Sequence, residues 1–122
     1  MDIDVGPYVE NVRRYTAELK RRNAEATAKA RAELPRIIEV LRVTPGLKVA
    51  YLFGSLAKDM FHPAADIDIA VEGVAPVLES DLRRRLEAVS SFPVDLVCFE
   101  DVLPPFRRLV EYYGEVLYAQ PE

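Results

Sequence analysis

Residues 52–69 read LFGSLAKDMFHPAADIDI, and this stretch decides the fold. An apolar run ends in Gly54-Ser55, and ten residues later Asp66-Ile67-Asp68-Ile69 alternates acid with branched apolar residues. Alternation of period two is a strand signal, so Asp66 and Asp68 are expected to project from one face, about 6.6 Å apart along the backbone. Ile67, Ile69 and Val71 then face the opposite way, toward a helical layer. Two unpaired acids side by side on a strand repel each other unless a cation lies between them. A third acid, Asp95, sits inside the apolar run Pro93-Val94-Asp95-Leu96-Val97. If that strand neighbours the first, three carboxylates meet. Such hard oxygen donors suit Mg²⁺, and a pair of ions about 3.5–4 Å apart is the usual clamp for displacement at phosphorus.

Gly54-Ser55 supplies the complementary half. A glycine at a strand end lets backbone approach a ligand, and a helical turn starting at Ser55 aims free amides at phosphate oxygens. The Ser55 hydroxyl adds a hydrogen bond, and Lys58, one turn on, brings a mobile positive charge within reach of a triphosphate.

Working outward, Leu47 to Phe53 reads as a strand after Thr44-Pro45-Gly46. Val77 to Val89 carries a helical stripe of Leu78, Leu82, Leu86 and Val89, with Arg83, Arg84 and Arg85 as a solvated face. Pro93 to Phe99 is a strand, Leu103 to Tyr113 a short helix stopped by Gly114, and Glu115 to Ala119 a fourth strand. Glu100 and Asp101 fall beyond the third strand. His62 reads as a loop residue and Cys98 as a small buried one. Upstream, Pro7 to about Val43 reads as helix, and Pro35 is expected to kink it or split it near Leu34. Its alanine-rich, charged middle is expected to bury little. The stripe of Tyr8, Tyr15 and Leu19 is expected to pack within the chain or across an interface.

The expected fold is α/β (α+β): a small mixed sheet of about four strands packed with helices and preceded by a long N-terminal helix or helix pair. Its 122 residues make one domain, with 1–46 expected as a helical extension and interface element and 47–122 as the core. Half of the residues are hydrophobic, 30% are charged and the net charge is -4. No apolar run approaches the roughly 20 residues of a membrane span. The acidic N-terminus is unlike a signal peptide, and a lone cysteine suits a reducing cytoplasm. The absence of a basic excess speaks against direct nucleic-acid binding, though not against binding a nucleotide.

Gly-Ser, ten residues, then Asp-x-Asp resembles the signature of the DNA polymerase β-like nucleotidyltransferases. Gly54, Ser55, Asp66 and Asp68 match it, and Asp95 falls where that family carries its third carboxylate. The closing Gly114-Glu115-Val116-Leu117-Tyr118 resembles the end of the minimal, single-domain members. Two positions depart from the pattern. Lys58-Asp59 stands where the family often has Arg-Gly, and Ala65 where Ser commonly precedes the first acid. Both bear on rate and leave the carboxylates complete.

The resemblance implies a polymerase β palm-like fold and transfer of AMP from ATP to a hydroxyl. Asp66, Asp68 and Asp95 are the implied catalytic residues and ligands of two Mg²⁺ ions, with Gly54, Ser55 and Lys58 holding the triphosphate. Minimal members resembling this chain act as antitoxins of HEPN toxins, some by adding AMP to a tyrosine of that partner. The acceptor implied is therefore a HEPN toxin tyrosine, and the assembly a homodimer or a hetero-oligomer. Two alternatives stay open: an antitoxin that neutralises by binding alone, and a transferase acting on a small molecule such as an aminoglycoside.

Overall fold

The computed structural model describes residues 4–122. In chain order it contains α1 (Gly6–Arg42), β1 (Val49–Phe53), α2 (Gly54–Ala57), β2 (Ile67–Glu72), α3 (Glu79–Ala88), β3 (Val94–Cys98), α4 (Pro104–Tyr113) and β4 (Glu115–Ala119). Short 3-10 turns at Pro76–Leu78 and Phe99–Asp101 precede α3 and follow β3. The four strands form one mixed sheet in the order β3-β2-β1-β4. The β1–β2 and β1–β4 pairs are antiparallel, and the β2–β3 pair is parallel.

Strand alternation sorts the side chains into two layers. Leu52, Ile67, Ile69 and Val94 face α1 and α3, where they meet Ile37, Leu41, Leu82 and Leu86 in the main core. On the opposite face Tyr51, Phe53, Ala70 and Val97 pack with Phe99, Phe106 and Val110, so α4 covers this side. α4 has only 10 residues. It leaves part of that face open, and the open part carries the acids.

α1 runs for 37 residues with Pro35 inside it. The expected split near Leu34 does not occur. An internal proline forfeits one hydrogen bond and costs about 3 kcal/mol. Leu34, Ile37 and Leu41, on both sides of it, are buried on the sheet, and each such side chain contributes about 1.5–3 kcal/mol. Burial outweighs the break. The alanine-rich middle also buries more than expected, since Ala26, Ala30 and Glu33 are buried. The Glu33 carboxylate accepts a hydrogen bond from the Ser91 backbone N–H, tying α1 to the loop before β3. Before Ala26 the helix leaves the core, and Tyr8, Val12, Tyr15 and Leu19 are exposed. Packing of that stripe within the chain is thereby excluded.

Candidate functional site

Phe53 ends β1 and pairs in register with Asp68 of β2. The next residue, Gly54, turns the chain with a φ of 73°, in the left-handed region. A Cβ at this position would lie 2.0 Å from the Asp68 Oδ2. Gly54 is thus required twice, by backbone conformation and by the carboxylate against it. Leu56, fully buried in the main core, anchors the turn of α2. Ser55 stays half-buried and Lys58 exposed at its end.

Asp68 and Asp95 are direct partners in the parallel β2–β3 register. Their neighbours Ile67, Ile69, Val94 and Leu96 occupy the α1 and α3 core, so both acids stand on the α4 face. Asp66 lies one residue before β2 rather than inside it, and it is exposed. Burial, and then the charges of Asp95 and Asp66, push the Asp68 carboxyl up to about 6. Among the described residues none of the three acids pairs with a lysine or arginine. Three uncompensated carboxylates form an all-oxygen donor set whose mutual repulsion a divalent cation relieves. The residues present therefore suit Mg²⁺ in chemistry. They are not drawn together as tightly as Glu79, Cys98 and Asp101, whose ligand atoms lie within 4.8 Å of one another. Burial, with Glu79 next, pushes the Cys98 thiol up to about 12, so that sulfur stays protonated and is a weak donor.

Lys58 and Gly54 border a cavity of about 240 Å³ walled by Phe53, Phe106, Val110 and Tyr113. This aromatic hollow adjoins the Gly54 turn and was not legible from spacing, because its walls come from β1 and α4. Arg31 was likewise missed. From α1 it makes two 2.7 Å hydrogen bonds to Glu115 and a 3.1 Å bond to the Leu56 carbonyl, and stands 3.8 Å from Asp59. It ties α1 to β4 and to the α2 turn, and offsets the Asp59 charge beside it. Its partner is 84 residues away in sequence, which no local pattern signals. His62 accepts a hydrogen bond from the Ala64 backbone N–H through Nδ1, a turn contact apart from the acids. Cys98 is buried. Arg83 and Arg84 pair with Glu87 and Asp81 on the exposed face of α3.

The sequence pattern of the family described as polymerase beta, nucleotidyltransferase, matches residues 35–122. Comparison with curated proteins yields no match. Among solved structures, a toxin–antitoxin crystal structure with AMP-PNP is similar at 30% identity and a TM-score of 0.64, covering 71% of this chain and 73% of that one. A doubly substituted MntA–HpeT toxin–antitoxin is similar at 27% identity and a TM-score of 0.63, over 71% and 73% of the two chains. A tri-AMPylated Shewanella oneidensis HEPN toxin in complex with MNT antitoxin is similar at 27% identity and a TM-score of 0.58, over 75% and 73%. No helix of the described residues is long and apolar enough to cross a membrane.

Proposed function

This chain belongs to the polymerase beta nucleotidyltransferase family, and from that premise we propose that it moves AMP from ATP onto a tyrosine hydroxyl of a HEPN-class toxin, as that toxin's antitoxin. The observation that carries the reading is the meeting of Asp68 and Asp95 in register, with Asp66 nearby and Gly54 against Asp68. The similarity to an MNT antitoxin bound to a tri-AMPylated HEPN toxin supports the choice of donor group and acceptor.

On this reading Asp66, Asp68 and Asp95 would hold two Mg²⁺ ions, which would supply positive charge against the triphosphate. Gly54 allows the triphosphate to approach the backbone, while Ser55 and Lys58 bind its β- and γ-phosphates. Asp95, exposed on the edge strand β3, takes the proton of the acceptor hydroxyl. The acceptor oxygen then forms a bond to the α-phosphorus, the bond from that phosphorus to the bridging oxygen breaks, and pyrophosphate leaves. The hollow walled by Phe53, Phe106 and Tyr113 offers a surface for an aromatic ring, of adenine or of the acceptor tyrosine. The boundary expected at residue 46 moves upstream, since α1 from Ala26 onward packs in the catalytic core and residues 5–22 alone form the extension. The reducing cytoplasm is its working compartment.

The test is transfer of label from ATP in Mg²⁺ to a purified HEPN-class toxin. Label on that protein, lost in Asp66→Asn/Asp68→Asn, supports the reading. Tight complex formation without transfer would replace it by neutralisation through binding, and modification of an aminoglycoside without any partner by the small-molecule alternative.

A further inference from the structure

α1 divides into two functional lengths. From Ala26 onward it is part of the core, but residues 5–22 project from the fold. The family match begins only at residue 35, so the projecting half is an addition to the shared fold. Its apolar stripe is Val5, Tyr8, Val12, Tyr15 and Leu19, in steps of three, four, three and four, with Val9 beside it. That is the seam of a two-helix coiled coil. Every one is exposed, Tyr8 by 71% and Tyr15 by 70%. We propose that this half of α1 is an interface that pairs antiparallel with a second copy of this chain.

Four observations select that occupant. The same helical face, continued past residue 22, meets its own sheet at Ala26 and Ala30. A parallel partner would run into this core, whereas an antiparallel partner overlaps only the projecting half. Sliding the two helices so that Tyr8 faces the partner's Leu19 places Val12 against the partner's Tyr15. Each layer then combines a large ring with a smaller aliphatic residue, and the overlap ends near residue 22. Charge is also segregated along the helix. Residues 4–10 carry Asp4 and Glu10 with no base, while residues 13–22 carry Arg13, Arg14, Lys20, Arg21 and Arg22 against Glu18 alone. Antiparallel pairing sets Asp4 of each copy beside the stretch from Lys20 to Arg22 of the other, Glu10 being paired with Arg14 of its own chain, and a parallel pair sets like beside like.

The residues flanking the seam suit a copy of the same helix. Val9, Asn11 and Thr16 are uncharged, and Glu18 already pairs with Arg21 and Arg22 of its own chain. Arg13 and Arg14 come level with the partner's Arg14 and Arg13 but outside the seam, and Arg14 is paired with Glu10 of its own chain. The exposed seam side chains amount to roughly 600 Å² per chain, or about 1,200 Å² for a pair, at the lower end of specific interfaces.

The experiment is mass determination of the full chain by light scattering and sedimentation across micromolar concentrations. A reversible dimer is expected. Tyr15→Glu and Val12→Glu, both at exposed positions, should raise its dissociation constant at least about 100-fold, with helix content and melting temperature retained. Orientation is read by mixing single variants Tyr8→Cys and Leu19→Cys under oxidation. The mixture should cross-link, and neither variant should do so alone. Native Cys98 is buried and does not compete. A monomer at every concentration, a Tyr15→Glu variant that dimerises normally, or a helical partner protein that takes this face while the chain alone stays monomeric would each overturn the proposal. Cross-linking of either cysteine variant alone would overturn the antiparallel arrangement.

Discussion

Replacing Asp68 by Asn removes the middle charge of three and sets stability against activity. In the folded chain burial and the neighbouring Asp95 and Asp66 hold the carboxyl at about 6, against an ordinary 3.8. A gap of about 2 corresponds to roughly 3 kcal/mol at 1.36 kcal/mol per pH unit, which solvent at this half-open site screens to about 1 kcal/mol. The native state binds this proton more tightly than the unfolded chain does. As pH rises from about 4 to about 6 the unfolded chain therefore ionises first, and native stability falls across that window, then levels off. Asp68→Asn lacks this loss. In metal-free buffer at pH 7.5 its melting temperature should exceed that of the unaltered chain by about 4 °C, and the difference should vanish near pH 4. Transfer should nevertheless fall at least about 100-fold. Thermal melts in chelator across pH 4–8, paired with the labelled-ATP assay, make the check. A variant less stable at pH 7.5, or a difference independent of pH, would refute a site of mutually repelling carboxylates.

Added Mg²⁺ should raise the melting temperature of the unaltered chain at pH 7.5 and less so at pH 5, where Asp68 is protonated; scanning fluorimetry reads both values. Gly54→Ala should cost at least about 2 kcal/mol in chemical denaturation, since it adds left-handed strain to a 2.0 Å clash with Asp68 Oδ2, and transfer should drop with it. Arg31→Ala should cost about 1–2 kcal/mol by freeing Glu115 and the Leu56 carbonyl; a KM rise for ATP would mark the loosened α2 turn. Glu33 should lend acid sensitivity. Burial opposes its charge, but hydrogen bonds from Ser91 and Ser90 and the Lys29 charge outweigh this and hold it below the usual range. Its contribution is present above about pH 4.5 and lost as pH falls through the lowered value, so Glu33→Gln should flatten the acid limb of the stability curve.

Local pattern is enough to place the chemistry-bearing turn and the strands around it. Gly54 and Asp68 are close in the chain, and a glycine stop and a strand's period of two set them against each other, whereas Asp66 falls one residue ahead of the strand it was expected to open. The fourth strand at Glu115–Ala119 was legible for the same reason. Pro35 does not split α1, because local propensity counts the lost hydrogen bond but not the burial of Leu34, Ile37 and Leu41 on the sheet. Long-range packing alone lays β3 parallel beside β2, which brings Asp95 opposite Asp68. It also built the aromatic hollow and the Arg31 clasp, each from segments remote in sequence. Periodicity within a segment records which face is apolar. What that face meets is set by the packing of the whole chain, and for residues 5–22 of α1 the chain itself leaves that face uncovered.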